Sequence, residues 1–448
     1  MGLYTKLVSG FLFPLHEKLK KHSTVSVREQ MEKTQWLSAD ELEKLQVERL
    51  QTFLMDIGQN VPYYRVLFQE RGFDPESVHS LKALQQLPVT GKPEIRANSD
   101  ELKADDAEGL ARFNTGGSSG EPLIFYIGNK RVSHDVAAKW RATRWWNVDI
   151  GDPELVVWGS PIELGSQDRV RQIRDNLFRT ELLPAFEMSS EKLDGFIRTI
   201  RTKRPKMLFG YPSAIAHIAA YADEQGIAMN DLGIKVAFVT SERLYDHQRE
   251  KIETVFGCPV ANGYGGRDAG FIAHQCPDGG MHLTAEDIIV EIVDKEGKVL
   301  PVGESGEIVI THMATRDFPF VRYPTGDIGI LSHKTCSCGR GLPLLEEIQG
   351  RTTDFVIAKD GTVLHGLALI YVLRDLPGVA SFKIIQETID LTRVLILQND
   401  GYEKASEVTI REEFKRRLGK EVEISVELVD EIPKEKSGKF RYVVSRIS

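Results

Sequence analysis

The sequence predicts an α/β protein in two parts. A large N-terminal domain, residues 1–350, carries mostly parallel sheets plus a β-rich section, and a small α+β domain follows at 351–448. Three observations lead there. Short apolar runs alternate with amphipathic helical stretches between about 155 and 240, the pattern of helices layered on a largely parallel sheet. After about Gly263 the texture changes to strands and hairpins. Beyond Gly350-Arg351 the chain has its own mixed set of helices and strands.

In chain order, Gln35 to about Asn98 reads as helical through Leu42, Leu45 and Leu50, punctuated by Pro62, Gly72 and Pro88. A strand-like run then reaches Phe113 and meets a Gly/Ser loop. Leu155 to Trp158 reads as a buried strand. Ser189 or Ser190 is suited to cap a helix bearing Leu193, Phe196, Ile197 and Ile200, which Pro205 closes. Met207 to Tyr211 is the next strand; a helix follows Pro212 and ends near Gly226, and Val236 to Thr240 is again a strand. Ile288 to Val293, the turn Asp294-Lys295-Glu296-Gly297 and Glu307 to Thr311 make the β-rich section. In the last domain we expect a hairpin around Lys359-Asp360-Gly361, helices near 366–375 and 404–418, and strands near 381–386, 391–398 and 422–429.

The bulk numbers exclude several classes. Hydrophobic residues at 41% and charged residues at 27% describe an ordinary globular chain. A net charge of −8 argues against sequence-independent nucleic-acid binding. No apolar run approaches the roughly 20 residues that span a bilayer. The best candidate, Leu7 to Leu15, is interrupted by Ser9, Gly10 and Pro14 and lacks a cleavage pattern, and Lys6 stands where a myristoylation signal wants Ser or Thr. We expect that segment to pack on the body rather than to anchor at a membrane, and the protein to be cytoplasmic. Cys258, Cys276, Cys336 and Cys338 are too few for a disulfide scaffold.

Four clusters carry chemistry. Asn114-Thr115-Gly116-Gly117-Ser118-Ser119-Gly120 packs glycines and hydroxyls into a loop whose amides can turn toward phosphate oxygens, or which is simply a flexible turn. It lacks the Gly-Lys-Ser/Thr ending of the common nucleotide loop. Gly263-Tyr264-Gly265-Gly266-Arg267-Asp268 joins a ring able to stack on a flat base to an acid, Asp268, suited to Mg²⁺; an ordinary turn is the rival reading. Arg322-Tyr323-Pro324-Thr325-Gly326-Asp327 offers Asp327 to a ribose diol, or is a hairpin turn with a solvated acid. Near the end, Ser437-Gly438-Lys439 supplies a lysine able to neutralise phosphate charge, or a solvated basic tail.

In this order and at these separations, with Gly350-Arg351 between the last two, the clusters resemble the adenylate-forming superfamily of acyl-CoA ligases, from about Gln35 to Arg441. Val61-Pro62-Tyr63-Tyr64-Arg65, Leu87-Pro88-Val89-Thr90 and Gly210-Tyr211-Pro212-Ser213 are similar to its phenylacetate–CoA ligase branch. The Tyr-Gly-x-Arg-acid wording at Tyr264 is closer to relatives associated with capsular polysaccharide synthesis, where phenylacetate-type members more often carry Ser-Glu.

The resemblance implies an AMP-forming enzyme that activates a small carboxylic acid with ATP and passes the acyl group to a thiol, coenzyme A foremost. It implies Thr115, Gly116, Gly117, Ser118, Ser119 and Gly120 at the phosphates. Asp268 would act with Mg²⁺ beside Arg267, Tyr264 and Gly265 at adenine, and Asp327 and Arg351 at ribose. Lys439 would act in catalysis, Asp354 at the hinge of a rotating C-terminal domain, and Tyr211 in the acyl pocket. A carrier protein or sugar precursor as acceptor, and a non-catalytic nucleotide-binding homologue, are the alternatives. A homodimer is left open.

Cys276, His282, Cys336 and Cys338 form the inventory of a closed zinc site, and the branch shares this Cys-to-His and Cys-x-Cys-Gly-Arg wording. His274 is the alternative fourth ligand, and packed free thiols are the alternative to a metal. Cys258 stands apart and is expected in the core.

Overall fold

Helix spacing and end signals explain the first hundred residues. The helix Ala39–Asn60 buries Leu42, Leu50, Phe53, Leu54 and Ile57, and its start is a capping box. There the Ser38 hydroxyl accepts from the Glu41 amide while the Glu41 carboxylate accepts from the Ser38 amide at 2.9 Å. Pro62 opens the helix Pro62–Arg71, which ends at Gly72 in the left-handed conformation. A computed structural model describes residues 2–115, 123–158, 169–185, 187–348, 355–374, 376–399, 401–432 and 442–447 of the chain.

The chain divides into two compact units. One comprises 1–115, 123–152 and 261–350; the other comprises 116–122, 153–260 and 351–448. In the first, the helix Asn129–Trp145 is an unusual core helix, because Arg131, His134 and Arg141 are buried on it. Arg141 pairs with Glu286, which is wholly buried and also accepts from the Thr34 hydroxyl at 2.9 Å. Beside the helix lie antiparallel strands: Ala111–Asn114 with Ile124–Ile127, and Val260–Gly266, Gly270–Gln275 and Met281–Leu283 in succession. An antiparallel sheet runs in the order Ile288–Val293, Ser305–His312, Phe320–Leu331, Leu345–Ile348.

The N-terminal segment departs from expectation. It is helical from Leu3 to Leu19, and its inner face does pack on the body through Val8 and Phe13. Leu7, Phe11 and Leu15, however, face solvent. The segment has two faces, and only one of them is used for packing.

In the second unit, Thr180–Pro184, Glu154–Trp158, Met207–Gly210 and Val236–Thr240 pair in parallel in that order. The helices Ser190–Lys203, Pro212–Glu224 and Asp246–Phe256 contribute to the core around them, which contains Ile200, Ile215, Ile218, Val239, Ile252 and Cys258. Ser189 takes the cap position of its helix with extended backbone, but its hydroxyl makes no cap bond. The C-terminal residues build a sheet in the order Glu423–Leu428, Leu391–Gln398, Val379–Thr388, Val443–Ser445, with helices Leu367–Arg374 and Lys404–Leu418. The hairpin Phe355–Ile357/Val363–His365 takes Glu187–Met188 as a third strand. The sequence signals at 350 and 351 anticipate an independent C-terminal part, whereas compactness groups it with 153–260.

Gly210 sits where two strands approach closely. A Cβ there would lie 2.0 Å from the Val157 carbonyl oxygen, a backbone atom of the neighbouring strand. Gly210→Ala is therefore expected to lower stability by about 1–3 kcal/mol, the range for overpacking. Thermal unfolding against the parent checks it.

Candidate functional site

The glycines of the second cluster bring two strands close and turn them tightly. Val260–Gly266 and Gly270–Gln275 form a hairpin in which Gly265 opposes Phe271. A Cβ on Gly265 would meet the Gly270 carbonyl at 2.1 Å. Gly270 has φ of +82°, and a Cβ there would meet His312, Arg131 and Asp135 within about 3.0 Å. The tip of this hairpin presents Arg267 and Asp268.

Asp268 is held from two sides. Its Oδ2 accepts from the Tyr323 hydroxyl at 2.6 Å, and its Oδ1 accepts from the Ala269 amide at 3.1 Å. The third cluster is neither a turn nor a loop. Residues 322–327 lie inside the strand Phe320–Leu331, and the register slips: Pro324 faces Val309 but Ile328 faces Glu307. Thr325, Gly326 and Asp327 therefore form a bulge opposite Ile308, with Gly326 at φ +79°. Bulges re-aim side chains. Here the bulge brings Asp327 Oδ2 to 3.1 Å from the Tyr264 hydroxyl, which also lies 3.2 Å from Thr325 Oγ1. Tyr264, Asp268, Tyr323, Thr325 and Asp327 thus belong to one polar neighbourhood within the first unit.

Behind the hairpin lies a charged cluster that no sequence motif announced. Arg131 Nε donates to Asp135 at 2.9 Å, while its Nη1 and Nη2 donate to the carbonyls of Asp268 at 3.1 Å and Arg267 at 3.4 Å. His134 stands between Asp135, at 3.6 Å, and Asp287, at 3.5 Å; Asp287 in turn accepts from Arg49 at 2.7 Å. His312 Nδ1 accepts from the Ala314 amide, and its Nε2 lies 3.8 Å from Asp135. Burial disfavours the charged form of His134, but the two carboxylates outweigh it and hold its pKa above the ordinary histidine value. Asp135 and Asp287 resist burial in the same way, held well below the carboxylate range by Arg131 and the histidines and by His134 and Arg49 respectively. His312 goes the other way: burial and Arg131 push it down to about 3. The signal that marks such a cluster, Arg-x-x-x-Asp at helix spacing, is common on solvated helices and becomes distinctive only with burial.

A second cluster joins separate segments. Cys276 Sγ lies 3.5 Å from Cys336 Sγ, Cys338 Sγ lies 3.2 Å from His282 Nε2, and all four ligand atoms fall within 4.8 Å of one another. Sulfurs on a tetrahedral zinc would stand about 3.8 Å apart, given Zn–S of about 2.3 Å. His282 Nδ1 faces the Leu342 carbonyl at 3.3 Å, which leaves Nε2 for a metal. Burial holds His282 down to about 4, the neutral form a ligand needs. His274, although opposite His282 in register, stacks on Phe271 and is outside the four-atom cluster.

Of the remaining sequence-selected residues, Thr115 is buried, and its hydroxyl accepts from the Leu123 amide at 2.9 Å, closing the mouth of the Gly/Ser loop. Tyr211, in the second unit, stacks on Trp158 at 4.3 Å at the start of the helix Pro212–Glu224, and Ser213 donates to Glu242. Gly116, Gly117, Ser118, Ser119, Gly120, Arg351, Asp354 and Lys439 lie outside the described residues.

Comparison with known proteins adds the family context. A family profile described as "AMP-binding enzyme" matches residues 183–315, and one described as "CapK C-terminal domain" matches 356–446. The chain is 25% identical over 419 residues to Protein CapK of Staphylococcus aureus, covering 91% of this chain and 90% of that one. It is 25% identical to the phenylacetate-coenzyme A ligase of Thermus thermophilus, covering 88% and 87%, and 28% identical to that of Pseudomonas putida, covering 72% and 73%. In fold it is similar to 2-hydroxyisobutyryl-CoA ligase in complex with 2-HIB-AMP and CoA, with TM-score 0.66, 21% identity and coverage of 92% and 91%.

Asp135→Asn keeps shape and removes the charge that Arg131 and His134 share. It should cost about 3–5 kcal/mol, as for a buried pair losing one partner. Because His134 is raised, its contribution is fully present below about pH 6.5 and is lost as pH rises through its folded value. The substitution should therefore lower the His134 pKa and flatten that alkaline loss, read by denaturant unfolding across pH and by NMR titration of the ring.

Proposed function

We infer, from its place in the adenylate-forming superfamily on the phenylacetate–CoA ligase-like branch that also holds CapK, that this chain is an AMP-forming acid–thiol ligase. It activates a carboxylic acid as an acyl-adenylate, and coenzyme A is the thiol acceptor that its relatives' names favour. The observation supporting the finer reading is a pair of hydrogen bonds, Tyr264 to Asp327 and Tyr323 to Asp268, which orient two acids that in this reading serve the ribose diol and Mg²⁺.

The chemistry asks for positioning and for fixed positive charge. A carboxylate oxygen forms a bond to the α-phosphorus of ATP, the α–β phosphoanhydride bond breaks, and pyrophosphate leaves. A thiol sulfur then attacks the acyl carbon, losing its proton, and AMP departs. In this reading Thr115 to Gly120 meet the phosphates with backbone amides and hydroxyls. Asp327 accepts from the ribose diol with Arg351 beside it, and Tyr264, with Gly265, flanks adenine while its hydroxyl orients Asp327. Arg267 faces the anionic groups, Tyr211 contributes to the acyl pocket, and Asp354 hinges a mobile C-terminal domain. Asp268 offers carboxylate oxygens, already oriented by Tyr323 and Ala269, to Mg²⁺, which would neutralise phosphate charge. Lys439 stabilises the forming bond.

Match to the CapK C-terminal domain, together with the Arg267-Asp268 wording, keeps a second acceptor in play: an amine or hydroxyl of a polysaccharide precursor. Cys276, His282, Cys336 and Cys338 would hold a structural zinc, cross-linking the turn after Gly270–Gln275 and the strand Met281–Leu283 to the 336–338 loop; four protein ligands leave no open position for catalysis.

With ATP and Mg²⁺, a panel of aromatic, short aliphatic and amino acids should give acid-dependent pyrophosphate release, and thioester on adding coenzyme A. Adenylation without thioester would favour the second acceptor; ATP binding with silence across the panel would count against the reading. Lys439→Ala should slow adenylation by about 10²–10³-fold with ATP binding kept, and an unchanged adenylation rate would refute its role. Purified protein should contain about one zinc per chain, lost in Cys338→Ser together with thermal stability; elemental analysis finding none would leave the thiols as packing groups.

A further inference from the structure

The N-terminal helix has a second, unused face. From Leu3 to Leu19 it docks on the body through one side: the Thr5 hydroxyl donates to Asp152 at 2.8 Å, Phe13 meets the edge of Trp140 at 5.1 Å, and Glu17 takes Thr24, His16 and His22. Thr5, Val8, Phe13 and Glu17 are all buried. The opposite side carries Leu3, Leu7, Phe11, Leu15 and Leu19, exposed by 89, 49, 59, 45 and 77%.

A strict four-residue spacing should not stay on one side of an α-helix, since each step advances the face by about 40°. The turn Val8–Leu12 is π-helical, and its wider i→i+5 winding takes up part of that drift. The result is a continuous apolar stripe roughly 25 Å long. A body-facing helix has no need of such a stripe.

Charge identifies what covers it. Within residues 2–22 the lysines are Lys6, Lys18, Lys20 and Lys21, all exposed, while the one acid, Glu17, is buried and engaged with Thr24, His16 and His22. The chain as a whole carries −8. A cationic apolar face on an acidic protein fits an anionic surface with an apolar interior. A second copy fits poorly, because a self-complementary contact would set lysines against lysines. No helix among the described residues is long and apolar enough to cross a bilayer.

We propose that the helix Leu3–Leu19 seats the protein on an anionic lipid surface, lying in the interface with Leu3, Leu7, Phe11, Leu15 and Leu19 among the acyl chains and the lysines at the headgroups. The reading is independent of which acid or acceptor the enzyme uses.

Co-sedimentation of the full chain with vesicles tests it. Binding is expected to vesicles of phosphatidylcholine with about 30% phosphatidylglycerol, far less to phosphatidylcholine alone, and to weaken in about 0.5 M salt. The double variant Phe11→Asp/Leu15→Asp should lose about tenfold of the bound fraction while its thermal unfolding matches the parent. Equal binding by parent and variant, or none by the parent, overturns the proposal. Self-association of the parent that the variant abolishes, without vesicle binding, overturns it in favour of a second copy.

Discussion

Arg131 can be buried only because Asp135 accompanies it. An ion taken out of water costs several kcal/mol unless a countercharge and hydrogen bonds meet it at good geometry. On the helix Asn129–Trp145 that requirement is met one turn away, where the Arg131 guanidinium sits on Asp135 and turns its remaining donors to the Arg267 and Asp268 carbonyls. The same helix buries Arg141 against Glu286. Charges placed this way leave the helix little freedom to slide or rotate, because any movement would strip a buried ion of its partner. The hairpin resting on Arg131 inherits that rigidity, and with it the backbone position of Asp268.

From this fixed point the polar neighbourhood is assembled by backbone irregularities. Gly265 and Gly270 let two strands approach at distances no side chain would permit, and they bring the acid to a hairpin tip. A bulge in the strand Phe320–Leu331 turns Asp327 toward Tyr264, while Tyr323, still in register opposite Ile310, reaches Asp268. Positions 323, 325 and 327 share a face by the strand's two-residue period, so Tyr323 can reach Asp268 while Asp327, re-aimed by the bulge, reaches Tyr264. Elsewhere in this unit, separate segments bring the ligand atoms of Cys276, His282, Cys336 and Cys338 within 4.8 Å of one another.

Much of this was legible in the chain. The parallel strands Glu154–Trp158, Met207–Gly210 and Val236–Thr240 follow from apolar runs bounded by proline and glycine, and the helix Lys404–Leu418 from its spacing. The helices before Gln35, the strand Val443–Ser445 and the helix Asn129–Trp145 were not. The last has a buried side rich in arginine and histidine, which no hydrophobic period can show. The Tyr323-Pro-Thr-Gly-Asp327 stretch looks like a turn, since proline and glycine usually mark one, yet neighbouring strands hold it as a bulge. The Leu7 to Leu15 segment looked like packing surface because composition cannot tell which side of a helix the body occupies.

Residue chemistry and order along the chain set the proposed class of reaction, the candidate acids Asp268 and Asp327, and the cysteine and histidine inventory, because these are properties of side chains and their spacing. Tertiary structure decided which imidazole joins the cysteines, which buried cation holds the Asp268 backbone, and which face of the first helix meets solvent. Those outcomes depend on residues far apart in sequence coming within a few ångströms, as Arg131 does with Asp268 and Cys338 with His282. Local propensity carries no record of such distances; only the packed chain sets them.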